Sequence, residues 1–130
     1  MNIDRSIDVE ESIRVSLGEY MQTYVRPLPA RFVVPSVEIS AVGGSELDKI
    51  DTFDVTLDSR ADVEADALEN LRNAIGIITE IAKSQTTALR VVNVNSLGSW
   101  GKDPVRPELA MCSARLRVIA HVETVEVTKL

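Results

Sequence analysis

The residue types that most often carry chemistry are sparse in this chain. There is one histidine, His121, and one cysteine, Cys112. A catalytic or metal-binding His121 needs partners, and the apolar–polar alternation around it sets it on the face opposite Cys112. It is therefore expected as an outward strand residue near a charged neighbour. Cys112 is expected as a small buried hydrophobe, because a thiol nucleophile needs a general base beside it and the local sequence supplies none. One histidine and one cysteine also fall short of a zinc set. The acids Asp48, Asp51, Asp54, Asp58, Asp62 and Asp66 recur every three or four residues. A calcium loop needs alternating oxygen ligands, a central Gly and a closing Glu, and this run does not match it. Because the acids cross a turn, a strand and a helix start, they are not expected to share one face. They read either as a solvated surface or as an acidic wall along a passage for a polyanion, with Asp54, Asp58 and Asp62 as the channel-facing candidates. The Gly43-Gly44 pair and the Leu97–Gly101 stretch match no phosphate-loop spacing. Neither a cofactor nor a metal is expected. With no Cys–His, Ser–His or paired-carboxylate arrangement to localise, neither is an enzymatic role.

Contacts with other proteins are the better candidates for function. Arg115 and Arg117, with Arg90 on a neighbouring strand, form either a basic patch that meets an acidic neighbour or a set neutralised across strands by Asp54 or Glu38. The stretch from Ser96 to Glu108 reads as a long loop with two glycines and two prolines, a length at which loops tend to be functional. Its Trp100 is a candidate interface anchor, with Lys102 and Arg106 beside it. The alternative for Trp100 is a side chain folded back over the sheet core.

These residues must be positioned by a small set of elements. The strongest signal is the helix within Asp58–Ser84. Ala67, Leu68, Leu71, Ala74, Ile75, Ile78 and Ala82 fall on one face of a 3.6-residue period, and most of the charges fall on the other. Ser59 and Asp62 are its N-cap candidates. Gly76 either weakens the helix or allows close packing against a strand. Ile77 lies off the main stripe, as core or as an exposed contact. A first helix starts at Asp8, with Glu11 at capping-box spacing, and is expected to stop near Val25 or Arg26 before Pro27 and Pro29. Residues 1–7 read as a flexible arm. Val37, Ile39 and Ala41 alternate with polar residues, as do Phe53, Val55 and Leu57, so two strands form a hairpin ahead of the long helix. After it come a strand over residues 88–96 and a longer one over 109–127. Its inward set is Cys112, Ala114, Leu116, Val118, Ala120 and Val122. The apolar parity switches after Glu123, which marks a bulge or a tail that docks elsewhere. The expected fold class is α+β in the order α-β-β-α-β-β. An antiparallel or mixed sheet is packed on one face by two helices.

The chain has 130 residues and reads as a single domain with enough length for a core. Aromatics are only 4%, so that core must be aliphatic. A formal charge of −6 argues against a sequence-reading nucleic-acid binder, which would carry a basic face. A lone cysteine allows no intrachain disulfide, and a reducing, intracellular place of synthesis is the simplest reading. No apolar run approaches membrane-spanning length, and the polar, acidic N-terminus does not resemble a signal peptide.

In this order of elements the chain resembles the tail terminator and tail-completion proteins of long-tailed bacteriophages, which join head to tail. The likeness covers nearly the whole chain. It includes the first helix followed by the Pro-containing turn of residues 26–32, and the strand of residues 34–40. It also includes Ile50–Asp62 running straight into a long helix, and the closing strand of residues 106–127 after its loop. The resemblance implies a structural virion protein, assembled in the cytoplasm of a bacterial host. Such a protein forms a homo-oligomeric, hexameric ring that caps the tail tube. Its partners would be the tail tube protein and a neck or head-completion protein, and DNA would pass through without sequence-specific binding. The alternatives are a neck or head-closure protein of the same particle, or a cellular α+β binding module. No membrane partner is implied.

Overall fold

The computed structural model describes residues 1–47 and 50–129. Its elements, in chain order, are β1 (Asn2–Arg5), α1 (Val9–Leu17), β2 (Thr23–Val25), β3 (Ser36–Leu47) and β4 (Ile50–Ala61). Then follow α2 (Glu64–Ser84), β5 (Leu89–Lys102), β6 (Ala110–His121) and β7 (Glu123–Glu126). Strands β2-β3-β4-β6-β5, in that order, make one sheet, and β1 pairs with β7 in a separate two-stranded sheet. The β2–β3 pair is parallel and the other pairs are antiparallel, so the main sheet is mixed. Both helices pack on one face of it, which makes the fold α+β.

The alternation in β4 and β6 decides which face that is. Phe53, Val55 and Leu57 of β4 and Cys112, Ala114, Leu116, Val118 and Ala120 of β6 are buried. The intervening residues point to the opposite, uncovered face. Against the apolar face α2 lays Ala67, Leu71, Ala74, Ile78 and Ala82, all buried, while α1 contributes Val9, Ile13 and Leu17. The core is aliphatic, as the low aromatic content requires, with Phe53 as its one buried aromatic residue among those described.

Several local outcomes differ from the sequence expectations, each for a definable reason. Strand β4 continues to Ala61, so α2 begins at Glu64 with Val63 as its N-cap, not Ser59 or Asp62. Pairing with β6 through Ala61 and with β3 through Arg60 satisfies this backbone within the sheet. Ser59 faces inward, and its hydroxyl donates to the Ala67 carbonyl at 2.8 Å, tying the first turns of α2 to the sheet. The first helix stops at Leu17, well before Pro27. The amides of Tyr20 and Met21 both bond the Leu17 carbonyl, and Thr23–Val25 then leaves the helix to pair with β3. The cap of α1 is as expected, with an Asp8 carboxylate oxygen accepting from the Glu11 amide at 3.1 Å. Residues 1–7 are not an unpaired arm. Asn2–Arg5 pair with Glu123–Glu126, and Arg5 bonds Glu123 at 2.7 Å. This explains the parity switch after Glu123, because β7 belongs to a different sheet from β6.

The stretch from Ser96 to Glu108 is not a loop along its length. Strand β5 carries on through Lys102, and the connection to β6 is residues 103–109. Three register shifts in β5, at Leu89/Val91, Val94/Ser96 and Leu97/Ser99, insert extra residues opposite β6. The bulges convert a two-residue period into a spacing of about three. Val94, Leu97 and Trp100 therefore show no strand-like alternation in the sequence.

Gly76 is exposed on α2, and a Cβ placed there meets no atom within 4 Å, so it is not a close-packing glycine. Gly76→Ala is expected to raise stability by about 0.5–1 kcal/mol through helix propensity alone. Chemical denaturation checks this: a midpoint that rises with an unchanged slope is the expected outcome.

Candidate interaction surface

The uncovered sheet face is ordered in rows by the strand registers. One row runs Val42–Asp54–Arg117–Asn93, the next Ser40–Thr56–Arg115–Ser96, and a third begins Glu38–Asp58–Ser113. Arg117 lies 3.5 Å from its cross-strand neighbour Asp54, both exposed. The Ser113 hydroxyl donates to Asp58. Arg115 stands between the hydroxyl-bearing Thr56 and Ser96, beside a depression of about 440 Å³ that also borders Asp58 and Ser113. Three acids, Glu38, Asp54 and Asp58, thus share the face with three bases, Arg60, Arg115 and Arg117. The face is charge-balanced and rich in hydroxyls. It is neither a basic patch nor an acidic wall.

Arg90 does not join Arg115 and Arg117. It sits at a bulge of β5, and its guanidinium donates to the carbonyls of Thr87 and Leu89. The six acids disperse as the element boundaries require. Asp54 and Asp58 lie on the uncovered face, Asp62 and Asp66 are exposed around the start of α2, and Asp51 is buried on the helix side. Asp48 lies outside the described residues.

At one end of the uncovered face a buried ionic cluster holds two connections in place. The Arg60 Nε donates to Asp103 at 2.8 Å and its Nη1 donates to Glu38 at 2.9 Å. Asp103 in turn accepts from the amides of Val105, at 2.9 Å, and Arg106, at 3.4 Å. The Phe32 ring centroid lies 5.9 Å from the Arg60 guanidinium carbon and 5.3 Å from that of Arg106. Residues 26–35 and 103–109 are thereby pinned to the strands, and Arg106, which also pairs with Glu108 at 3.0 Å, serves this cluster. Nothing in the sequence pattern marks it, because Arg60, Asp103 and Phe32 are far apart in the chain and Asp103 sits in a Pro-rich turn.

Strand β5 forms the edge of the sheet beyond β6. By register, Val94, Leu97 and Trp100 face the same side as the buried Leu116, Ala114 and Cys112 of β6. They are nevertheless 47%, 52% and 46% exposed. Trp100 is therefore a surface residue on a strand and not a lid over the core. Lys102 is exposed at the end of the same strand. Val94 and Leu97 are the residues that sequence reasoning missed, and the bulge-induced spacing of three was the signal that could have found them.

On the helix side, a groove of about 1070 Å³ runs between the end of α1 and the exposed side of α2, with Val15, Tyr20, Met21, Ile77 and Ile81 among its apolar lining. Ile77 is half-buried there and serves both core and groove. His121 is exposed and Cys112 is buried, with burial pushing its thiol pKa up. That is the direction opposite to activation. Among the described residues, no group of three or more His, Cys, Asp or Glu side chains is placed to hold a metal ion, and no helix is long and apolar enough to cross a membrane.

The Arg60 cluster makes the fold acid-sensitive. Burial by itself would push the Asp103 carboxyl up; the amides of Val105 and Arg106 and the Arg60 guanidinium outweigh it and hold the group below its ordinary value. A carboxyl whose folded pKa is depressed adds stability that is fully present above its unfolded pKa, and loses it as pH falls through the folded value. The loss is therefore expected below about pH 4, the unfolded carboxylate range. Asp103→Ala leaves Arg60 with Glu38 alone and should cost roughly 3 kcal/mol at neutral pH. Asp103→Asn should flatten the acid limb of the stability profile. Urea melts of both variants from neutral to acid pH check the pair of expectations. Comparison of the chain with models of known protein families, and with characterised proteins, finds no match to either.

Proposed function

We propose that this chain is a structural subunit of a ring at the head end of a long-tailed bacteriophage tail, capping the tail tube and joining it to the neck. The observation that carries the reading is the one-sided covering of the sheet. Helices occupy one face, a charge-balanced polar face is left open, and an apolar strip with Trp100 stands uncovered at one edge. A ring subunit needs unlike surfaces for its two neighbours and further surfaces for tube and neck. Here the candidates are physically distinct: the β5 edge, the polar face with Arg115 and Arg117, and the apolar groove between α1 and α2.

In this reading Trp100 and Lys102 meet a neighbouring subunit, and Arg115 and Arg117 lie on a face that meets a partner or the passage for DNA. Asp54 and Asp58 lie on that same face. The proposed passage then has a neutral, hydroxyl-rich wall, which would let a polyanion slide without binding. Asp62 is set apart from it, at the head of α2. The chemistry proposed for the chain is recognition and not turnover. The second reading, a binding module of another kind, is favoured by the α1–α2 groove. That groove is open, which suits a partner segment better than an enclosed metabolite.

The test is genetic and visual. Loss of the gene from its phage should leave tails of abnormal length that do not join heads, and electron microscopy should find the protein at the head-proximal tip of intact tails. Purified virions that lack the protein, or tails of normal length in its absence, would remove the reading.

A further inference from the structure

We infer that copies of this chain associate head to tail by strand addition, with β5 of one copy pairing antiparallel to the outer half of β3 in the next. The inference rests on the ring-subunit reading for its partner, a second copy, and adds the interface. Edge strands present unpaired amides and carbonyls that template another strand, and proteins normally blunt them with charge or cover. Strand β5 has 14 residues. Among the described residues no strand pairs with its outer side. Its bulges at Val94/Ser96 and Leu97/Ser99 twist the edge, but no charge blunts it along its middle. Between Arg90 and Lys102 it carries no charge, and Val94, Leu97 and Trp100 stand exposed beside the free backbone.

The opposite edge of the sheet is free only in part. Strand β2 covers Val37–Ile39 of β3, and the Arg26 guanidinium donates to the Ala41 carbonyl at 2.9 Å. From Val42 onward no described strand pairs with the outer side of β3, and Val42 is 61% exposed. Each of the pairs β3–β4, β4–β6 and β6–β5 is antiparallel, so β3 and β5 run in opposite directions. A copy related by rotation about an axis along the strands therefore brings its β3 antiparallel to β5, with no reversal of either molecule. Two unlike edges joined in this way form a heterologous contact, which closes into a ring when the rotation permits.

Charge separates this arrangement from a two-fold dimer. In a chain of net charge −6, β5 holds Arg90 and Lys102 and no acid, whereas the stretch Val42–Leu47 of β3 has one acid, Glu46, and no base in its sequence. Pairing β5 with that stretch sets no base against a base. Pairing β5 with its own copy would bring Arg90 of each toward Lys102 of the other, at both ends of the contact, and like charges across strands repel.

Two substitutions at exposed sites test the interface. Leu97→Lys blunts the β5 edge and Val42→Lys blunts the β3 edge. Thermal melts should be little changed for both, because each residue is already more than half exposed. The full-length wild-type protein, followed by sedimentation velocity up to millimolar concentration, should form species larger than a dimer. Each variant alone should associate at least about tenfold more weakly, the change produced by 1.4 kcal/mol. A mixture of the two variants retains one intact β5 edge and one intact β3 edge, so it should form a one-to-one dimer and nothing larger. A wild-type protein that stays monomeric throughout would overturn the inference. So would self-association of Val42→Lys into stable dimers, which would mean two-fold β5–β5 pairing, or Leu97→Lys assembling like the wild type. If the edges behave as stated but tails keep normal length without the protein, the interface stands and the tail-capping reading falls.

Discussion

An unbroken antiparallel ladder between β4 and β6 is the constraint on which the rest of the structure depends. It runs without a register shift from Ile50 opposite His121 to Ala61 opposite Ala110. With no bulge, the two-residue alternation of both strands stays in phase along the whole length. Phe53, Val55 and Leu57 thus share a face with Cys112, Ala114, Leu116, Val118 and Ala120, and Asp54 and Thr56 share the other with Arg115 and Arg117. That division creates an apolar plane wide enough for α2 and α1, and it leaves a polar plane that needs no cover. A one-residue slip would turn Asp54 and Arg117 into the core. The inward Ser59 hydroxyl, bonded to the Ala67 carbonyl, fixes where α2 starts along the plane.

On either side of this ladder the sheet is less regular. Strand β3 carries a shift between Gly43 and Ser45, with Gly43 at φ 98°, a conformation that suits a glycine. Strand β5 carries three shifts. Bulges increase local twist, and here they turn a run that would read as buried strand into one that displays Val94, Leu97 and Trp100. The Arg60–Asp103–Glu38 cluster closes off one end of the polar face and holds residues 103–109 against it, so β5 and β6 separate only at a pinned turn.

The parts of the fold legible in the sequence were those that repeat with one period over many residues. The stripe from Ala67 to Ala82 read as a helix facing the core. Residues 109–127 read as a strand whose inward set the structure keeps from Cys112 to Ala120 but not at Val122, since β6 ends at His121, and the α+β class followed from the two hairpins around α2. What failed did so where a second influence overrode the local pattern. The ladder to β6 drew Ser59 out of the expected helix cap, and α2 begins beyond the other candidate, Asp62. Thr23–Val25 left the helical stripe to pair with β3. Bulges hid the second half of β5, and residues 1–7 found a partner more than a hundred residues away. The candidate contacts divided similarly. Trp100, Lys102, Arg115 and Arg117 are exposed, whereas Arg106 is committed to Phe32 and Glu108. The Arg60–Asp103 cluster was invisible because long-range ionic pairs leave no periodic trace.

The central claim is that the β5 edge, and not the helix groove, is where copies of this chain meet. Amide hydrogen exchange, compared between dilute monomer and concentrated protein, tests it most directly. The account predicts that amides within Val91–Lys102 and Val42–Leu47 slow by at least about tenfold on association, as expected when free edge groups enter a ladder. Amides of α1 and α2 should stay unchanged. Protection of α1 and α2 around Tyr20 and Ile77, with β5 unaltered, would contradict it.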